Sequence, residues 1–250
     1  MKLARLHSRP EVFLSVQGEG KSIGRPSVFV RLSTCNLYCT FCDTDYTWNW
    51  QGTAFRHRRD AEPGYRKFDP GRDLVELPPG AIAAEVARFD CRNVVLTGGE
   101  PLLQQGELAE LLRSLRALDA EYRFEIETNG TVVPAAELDA LVEQYNVSPK
   151  LENSGVQERH RVRSEALAFF ARSPKATFKF VVMEARDVEE VADCVRLHSL
   201  PADRIWLMPE GSSSETIRGR QRWLADVCAA RGFQLGDRLH IHLYGDERGK

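Results

Sequence analysis

The sequence of 250 residues lacks the features that identify membrane proteins, secreted proteins and proteins that coat nucleic acid. No segment approaches the run of about 20 apolar residues that a membrane-spanning helix requires. The first residues show no apolar stretch followed by a small-residue cleavage site. The 34 basic and 36 acidic side chains leave a net charge of −2, without the basic excess that binding to phosphate backbones demands. We therefore expect a cytoplasmic protein that binds neither a membrane nor nucleic acid.

Cysteine is scarce as well, since six residues in 250 are too few for a disulfide scaffold. Cys91, Cys194 and Cys228 are scattered in apolar surroundings, which is typical of inert thiols in a core. The remaining three cysteines stand within eight residues of one another. Their grouping is the most informative feature of the chain.

Cys35, Cys39 and Cys42 form a Cys-x3-Cys-x2-Cys cluster just after a short apolar run. Tetrahedral zinc and cubane iron–sulfur clusters both take four ligands, and no fourth Cys or His stands nearby. Three thiolates suit a [4Fe–4S] cluster whose fourth iron stays open for a non-protein ligand. A zinc site completed by a distant residue and three ordinary buried thiols are the alternatives.

Short β-branched or aromatic runs alternate with segments of helical period along the chain. The predicted strands are Val28–Leu32, Asn93–Leu96, Phe124–Glu127, Tyr145–Val147, Thr177–Val182, Arg204–Met208 and Leu239–Leu243. Helical spacing of apolar residues is found at Leu108–Leu115, Leu138–Val142, Val188–Val195 and Trp223–Val227. This repetition predicts an α/β fold with a parallel sheet. About six βα units fall short of a complete TIM barrel, so we expect one domain built as a partial, open barrel.

Residues 45–79 interrupt this rhythm and form a predicted insert that follows the cysteine cluster directly. The insert is long for a loop, but its aromatic residues favour partial order. We expect its basic side chains to form a solvated surface, and a sharper hypothesis makes them a docking patch for an acidic electron donor. These side chains are His57, Arg58, Arg59, Arg66 and Lys67.

Polar and flexible residues recur at the carboxyl ends of predicted strands, where ligands bind in parallel α/β folds. In Thr97-Gly98-Gly99-Glu100-Pro101, the glycines allow the backbone to approach a ligand and Glu100 offers a carboxylate to an ammonium group. Three other strand ends carry candidate ligand-binding residues: Asn129, then Ser148-Pro149-Lys150, then Met208-Pro209-Glu210-Gly211.

The cysteine loop together with the Gly-Gly-Glu-Pro turn resembles the radical S-adenosylmethionine (SAM) superfamily. The resemblance implies a [4Fe–4S] cluster held by Cys35, Cys39 and Cys42, with SAM bound to the open iron. An electron from the reduced cluster then splits SAM into methionine and a 5′-deoxyadenosyl radical. The residues implied to bind SAM are Phe41, Cys42, Asp43, Gly99, Glu100, Asn129, Ser148, Pro149, Lys150, Met208, Pro209, Glu210 and Gly211.

Further motifs narrow the resemblance to the 7-carboxy-7-deazaguanine synthase family, over Gln17 to Asp246. They are Gln-Gly-Glu-Gly at 17–20, Cys-Asp-Thr at 42–44, Glu-Thr-Asn-Gly-Thr at 127–131 and Ser-Pro-Lys at 148–150. The resemblance implies a carbon–nitrogen lyase of 7-deazapurine (queuosine) biosynthesis. Its substrate would be 6-carboxy-5,6,7,8-tetrahydropterin, its product 7-carboxy-7-deazaguanine, with ammonia released and SAM regenerated.

The resemblance also implies the roles of individual residues around the substrate. A magnesium ion would be held by the Thr44 hydroxyl and the substrate carboxylate. No side chain is expected to act as a general base, because the radical is borne by the cofactor. A flavodoxin-type reductant and a homodimer are expected. The residues implied to bind substrate are Val16, Gln17, Gly18, Glu19, Arg31, Thr97 and His242.

Two other functions share part of this pattern. A glycyl-radical-enzyme activase has the same cysteine motif but acts on a protein, and so needs an open groove. A non-catalytic zinc or iron–sulfur module would need no substrate pocket. The sequence leaves open the reductant, the oligomeric state, the order of the insert, the contact of residues 247–250 with substrate, and the pathway that uses the product.

Overall fold

An 11-stranded sheet that contains seven parallel strands is the main element of the computed structural model, which describes all 250 residues. The strands are β1 (Lys2–Leu6), β2 (Arg9–Pro10), β3 (Val12–Val16), β4 (Pro26–Leu32), β5 (Leu74–Glu76), β6 (Asn93–Gly98), β7 (Arg123–Thr128), β8 (Gln144–Val147), β9 (Ala176–Val182), β10 (Ile205–Pro209) and β11 (Gln234–Leu235). The helices are α1 (Pro70–Asp73), α2 (Pro79–Val86), α3 (Gln105–Leu118), α4 (Ala136–Asp139), α5 (Glu158–Arg161), α6 (Ser164–Arg172), α7 (Ala185–His198), α8 (Ser214–Arg231) and α9 (Leu239–Tyr244).

The strand order is β11-β10-β9-β8-β7-β6-β4-β1-β2, with β3 paired to β4 and β5 paired to β1. From β4 to β11 every neighbouring pair is parallel, whereas β1 and β3 pair with β4 in the antiparallel sense. The ends of the order, β11 and β2, are not joined, so the barrel is open. The predicted partial barrel is confirmed.

The central strands are buried on both faces, as expected for parallel strands covered by helices. On the outer side they pack against α3, whose Leu108, Leu111, Leu112 and Leu115 have no exposed surface. Burying each of these leucines contributes about 1.5–3 kcal/mol to folding. The predicted helices around Leu108, Val188 and Trp223 are confirmed as α3, α7 and α8, and the one at Leu138 is a single turn, α4.

The predicted terminal strand Leu239–Leu243 is wrong, because this segment is the helix α9. The alternation Leu-His-Ile-His-Leu imitates a half-buried strand, yet the place beside β10 is already taken by β11. The segment instead crosses the barrel mouth, where a helical turn satisfies its own backbone groups. Gly245 closes that turn by donating its N–H to the carbonyl of Ile241 at 3.0 Å.

The insert is folded against the domain, since Tyr46, Trp48 and Asn49 are buried. It contains two 3-10 turns, at Asp45–Thr47 and Arg58–Ala61, and then α1. Its chain re-enters the sheet through β5, which pairs with β1. No helix of the chain has the length and apolarity that crossing a membrane would require.

Candidate active site

A cavity of about 270 Å³ lies at the carboxyl ends of the parallel strands. Successive strands contribute to its wall: Arg31 from β4, Thr97 from β6, Glu127 from β7, Lys179 from β9 and Met208 from β10. Parallel strands deliver their loops to one edge, so residues far apart in sequence meet there. The cavity also receives the cysteine loop, the loop at 16–19 and the C-terminal segment.

Cys35, Cys39 and Cys42 all line this cavity, and none is in a disulfide. Burial raises the pKa of the Cys35 and Cys42 thiols above the usual value and that of Cys39 to about 12. Such thiols ionise only when a strong cation compensates for their burial, which iron would do. Cys91, Cys194 and Cys228 lie in or against the apolar core instead, as predicted.

Three thiols on one short loop are the donor set that a [4Fe–4S] cluster with one open iron takes. No fourth cysteine lines the cavity beside them. The buried Leu37, Phe41 and Trp48 line the cavity beside the thiols and form an apolar wall.

The insert holds the cysteine loop in place through His57. The imidazole Nε2 donates to the carbonyl oxygen of Cys42 at 2.9 Å, and Nδ1 accepts from the backbone N–H of Arg59 at 3.3 Å. Asp45 lies 3.2 Å from Nδ1, but burial lowers the pKa of His57 and favours the neutral ring. The expectation that His57 belongs to a solvated basic surface is wrong, because the loop needs a partner for the Cys42 carbonyl.

The glycines at the end of β6 serve chain packing. Gly98 has a φ of +92°, and a Cβ on it would lie 2.3 Å from the carbonyl oxygen of Leu32. A Cβ on Gly99 would lie 1.9 Å from the carbonyl oxygen of Thr34. Larger residues would push β6 away from the strand that leads into the cysteine loop. Both glycines also line the cavity, so the backbone there is open to a ligand.

Glu100 does not face the cavity, contrary to the prediction that it meets an ammonium group. Its carboxylate has no exposed surface and accepts hydrogen bonds from the backbone N–H groups of Leu102 and Asn129 and from the Thr128 hydroxyl. The sequence signal was misread because Glu100 also caps the 3-10 turn that begins at Pro101. Glu100 joins the ends of β6 and β7 and so positions Asn129, which does line the cavity.

The loop at 16–19 contributes Val16, Gln17, Gly18 and Glu19 to the cavity. The Gln17 amide donates to Glu125 at 2.9 Å and to Glu127 at 3.2 Å, while its oxygen accepts from the Glu19 N–H at 3.2 Å. Both of its protons are therefore used within the protein. In this arrangement Gln17 positions Glu19, and the Glu19 carboxylate is the group of this loop that remains available to a ligand.

Arg31 lines the cavity with its side chain about 18% exposed. Its Nε lies 3.5 Å from Glu11, and a terminal nitrogen lies 3.5 Å from the Thr97 hydroxyl. Glu11 is also bound by Arg248 at 2.5 Å, so one buried carboxylate is shared by two guanidinium groups. The partly exposed Arg31 guanidinium gives this wall a two-pronged donor suited to an anionic ligand group.

His242 was predicted to contact substrate, and the structure turns it away from the cavity. Its ring lies 2.6 Å from the Ser214 hydroxyl and 3.0 Å from Asp237. His240 lines the cavity instead. On a strand both histidines would share one face, but two residues of a helix are separated by about 200°. Because the segment is a helix and not a strand, only one of the two histidines, His240, reaches the cavity.

Some of the remaining predicted residues line the cavity and others lie outside it. Thr44, Ser148 and Lys150 line the cavity, and Lys150 donates to the Ser148 hydroxyl at 2.9 Å. Phe41 and Asp43 also line it. Apart from Glu100 and His242, the predicted residues outside the lining are Pro149, Pro209, Glu210 and Gly211.

Sequence reasoning missed several charged or titratable groups in the cavity, among them Lys179, Arg238 and His240. Lys179 had a readable signal, since it stands between Phe178 and Phe180 in an apolar strand, where a cation needs a buried partner. Arg238 and His240 had none, because their position depends on how the C-terminal segment crosses the barrel. The same crossing brings residues 247–250 into the lining, which the sequence had left open.

Comparison with known proteins gives a consistent result. Residues 30–168 match the model of the Radical SAM superfamily. The chain is 41% identical to the 7-carboxy-7-deazaguanine synthase of Pyrobaculum aerophilum, over 96% of each chain. It is 36% identical to that of Rhodopirellula baltica, over 96% of this chain and 87% of the relative. The crystal structure of QueE from Escherichia coli superposes with a TM-score of 0.66 at 25% identity, over 96% of this chain and 95% of that one.

Proposed function

Because the chain belongs to the 7-carboxy-7-deazaguanine synthase family of the radical SAM superfamily, we propose that it converts 6-carboxy-5,6,7,8-tetrahydropterin to 7-carboxy-7-deazaguanine and ammonia. The observation that carries the proposal is that three thiols and the loop at 16–19 line one cavity. A glycyl-radical-enzyme activase is not favoured, because the similar proteins are 7-carboxy-7-deazaguanine synthases and the C-terminal segment takes up part of the cavity wall.

The thiols of Cys35, Cys39 and Cys42 would hold a [4Fe–4S] cluster, and the neighbouring strand ends would hold SAM. When bound, these two groups supply the radical that removes a hydrogen from the substrate carbon bearing the carboxylate. The chain's own work is to place the substrate and to exclude water. Gly99, Ser148, Lys150 and Met208 are the lining residues that we assign to SAM.

The substrate would lie between the loop at 16–19 and β4. Glu19 would accept hydrogen bonds from the N–H groups on the pterin's pyrimidine edge, since an ionised carboxylate is an acceptor only. Arg31 would bind the carboxylate in a two-pronged manner, and Thr97 would contact the ring beside it. These roles follow the groups that line the cavity, which include the Glu19 carboxylate and the Arg31 guanidinium.

We assign a magnesium ion to the Thr44 hydroxyl. Thr44 lines the cavity, and its Oγ1 lies 3.5 Å from the Cys42 sulfur, which places the hydroxyl beside the cysteine loop. Magnesium takes hard oxygen ligands and keeps several waters, so one hydroxyl together with a substrate carboxylate is a sufficient set. The assignment predicts that the ion binds with the substrate and only weakly before it.

We also assign electron entry to the insert. Support comes from its contact with the Cys42 peptide and from the exposed Arg56 and Arg66, which form no ion pair. Arg58 is committed to Glu210 at 2.5 Å, and the Arg59 guanidinium lies over the Tyr65 ring, so these two are less available to a partner. Charge reversal of Arg56 and Arg66 should slow flavodoxin-driven turnover, leave dithionite-driven turnover intact, and have its largest effect at low salt.

A homodimer, expected from the family resemblance, and a cytoplasmic location, expected from the composition of the sequence, remain predictions. Sedimentation equilibrium of the cluster-loaded protein tests the first, with a single monomeric species as the contrary result. Cell fractionation tests the second.

The decisive experiment is anaerobic incubation of the reconstituted protein with SAM, dithionite, magnesium and 6-carboxy-5,6,7,8-tetrahydropterin. We expect 7-carboxy-7-deazaguanine and ammonia, identified by mass spectrometry, with many turnovers per SAM. A matched reaction omits the pterin and should consume little SAM. A protein that cleaves SAM but leaves the pterin unchanged would contradict the proposal, and a glycyl radical formed on an added protein would favour the activase.

A further inference from the structure

Glu19 lies at the centre of a buried charged group that the sequence did not predict. Its Oε2 binds the Lys179 ammonium, and its Oε1 accepts from Arg238 Nε at 3.0 Å. All three residues are buried, with exposed fractions of 9%, 7% and 4%. Arg238 continues to Asp43, so these two cations and two carboxylates compensate one another directly.

The position of Lys179 follows from the alternation of β9. Phe178 and Phe180 have no exposed surface and belong to the apolar core, so Lys179 and Val181 point into the barrel, where both line the cavity. A buried ammonium is costly unless it is paired, and Glu19 is its partner. Burial alone would lower the pKa of Lys179, but Glu19 raises it above the usual value.

Arg238 reaches Glu19 because the C-terminal segment lies directly on the loop at 16–19. Leu239 donates its N–H to the Gly18 carbonyl at 2.9 Å, and a Cβ on Gly18 would lie 2.1 Å from the His240 ring. The absence of a side chain at Gly18 therefore allows the two segments to pack together. His240 stands 3.9 Å from Glu19, and burial lowers the pKa of its ring.

The pair of cations determines what Glu19 can do. Burial by itself would raise the pKa of the Glu19 carboxyl, but Lys179 and Arg238 lower it far below its usual range. A carboxylate has about four acceptor positions, and the two cations use two of them. The other two remain for a ligand. Because Lys179 and Arg238 already compensate the charge of Glu19, a donor edge needs no positive charge of its own to bind there.

We propose that Lys179 and Arg238 are specificity-determining residues of the substrate site, which hold Glu19 as an anion whose remaining acceptor positions select a neutral edge of adjacent N–H groups. The pyrimidine edge of a pterin, with its ring N–H beside an amino group, has this character. The inference rests on the proposed function and deepens it. Lys179 of β9 and Arg238 of the C-terminal segment would determine which ring system binds, and Arg31 would bind the carboxylate of the substrate.

The test uses the cluster-loaded protein and oxidised 6-carboxypterin, a fluorescent probe that cannot react. Lys179→Met should weaken binding of the probe roughly 10- to 100-fold at pH 6, the cost of a hydrogen bond to a charged group. Lowering the pH should weaken binding by K179M more than binding by the parent, because Arg238 alone then holds Glu19 as an anion. The parent should stay level, since its Glu19 is ionised throughout. The parent and K179M share the other charged or titratable groups that face this space, so a difference in binding between the two proteins isolates the effect of Lys179. These groups are Asp43, Glu127, Arg238 and His240.

Two matched variants separate charge from folding. Lys179→Arg keeps the positive charge and should restore most of the binding. Lys175→Met removes a lysine that precedes β9 and pairs with Asp139 outside the cavity, and it should bind as the parent does. SAM affinity and cluster absorbance should be unchanged in all three variants. Failure of K179R to bind better than K179M would overturn the proposal, as would a level pH profile in K179M.

A second measurement does not depend on the probe. Carbon-13 labelling of glutamate, with Glu19→Gln to identify the signal, reports the protonation of Glu19 directly. We expect an ionised carboxylate in the parent at pH 6, and a Glu19 that titrates at a higher pH in K179M than in the parent. If the parent fails to bind 6-carboxypterin although Glu19 is ionised as described, the proposed function has failed. If the parent binds and Glu19 titrates alike in both proteins, only the present inference has failed.

Discussion

The imidazole of His57 donates its Nε2–H to the backbone carbonyl oxygen of Cys42 across 2.9 Å. A buried side chain of the insert thereby holds the peptide of a predicted iron ligand. The insert follows the cysteine loop in sequence and then folds back on it, so 15 residues separate two groups in direct contact. The insert is consequently part of the site's framework, and its order is tied to that of the cysteine loop.

His57→Phe should reduce iron content and the stability of the protein. The ring volume is kept, but the Cys42 carbonyl loses its donor, and an unsatisfied buried group costs about 1–3 kcal/mol. We would measure urea unfolding of the iron-free protein and iron retained after gel filtration. His160→Ala, at an exposed histidine, is the matched control and should behave as the parent. A parental iron content in H57F would show that the contact is dispensable.

Each of Cys35→Ala, Cys39→Ala and Cys42→Ala should abolish cluster assembly and SAM cleavage. Three ligands are the minimum for a cubane cluster with one open iron, and the cavity offers no replacement. Cys194→Ala should keep both properties, because that thiol packs against the core. The measurements are the visible absorbance after anaerobic reconstitution and the 5′-deoxyadenosine formed. A brown, active protein from any of the three variants would remove that residue from the ligand set.

Thr44→Ala should weaken the magnesium dependence of turnover and lower its rate, with the cluster absorbance unchanged. The threonine hydroxyl is the single protein oxygen that we assign to the ion, and alanine cannot supply one. Turnover is measured over a magnesium titration. Thr47→Ala is a useful comparison, because the Thr47 hydroxyl also lies at the cavity but donates its proton to the Thr44 carbonyl at 2.7 Å. Equal magnesium responses in T44A and the parent would reduce Thr44 to a turn residue.

Arg31→Lys should weaken binding of 6-carboxypterin about 10-fold or more, while unsubstituted pterin and SAM bind as before. Lysine keeps the charge but cannot donate to a carboxylate in a two-pronged manner. Fluorescence titration with the two pterins separates the carboxylate from the ring. Arg9→Lys, an exchange at an exposed arginine paired with Glu85, is the control. A similar loss of affinity for both pterins would indicate that the cavity wall around Arg31 is misfolded.

Arg238→Lys should weaken both pterin and SAM binding, in contrast to the Lys179 variants. The guanidinium joins three segments, since besides Glu19 it binds Asp43 of the cysteine loop and donates to the Gly211 carbonyl at 2.5 Å. A single ammonium cannot span all three. Arg220→Lys is the matched control, because Arg220 binds Glu210, the neighbour of Gly211, from outside the cavity. Loss of pterin binding alone in R238K would limit the role of Arg238 to Glu19.

Residues whose position depends on local pattern were correctly placed from the chain itself. The alternation of apolar strands and helices determined the open parallel barrel, because each unit buries its apolar face against its neighbours. The spacing of Cys35, Cys39 and Cys42 determined their convergence, since eight residues of one loop cannot separate far. The strand ends at Thr97 and Ser148 were correctly placed at the cavity for the same reason: parallel strands bring their carboxyl ends to one edge.

Only the tertiary structure decided which charges meet across the cavity. Lys179 and Arg238 converge on Glu19 from 160 and 219 residues away along the chain. Glu100 is turned inward by three donors that belong to other residues, and His240 replaces His242 because the terminal segment is a helix. A periodic pattern specifies which face of an element is buried. It contains no information about the partner that a buried charge finds, because that partner is chosen by how distant segments pack.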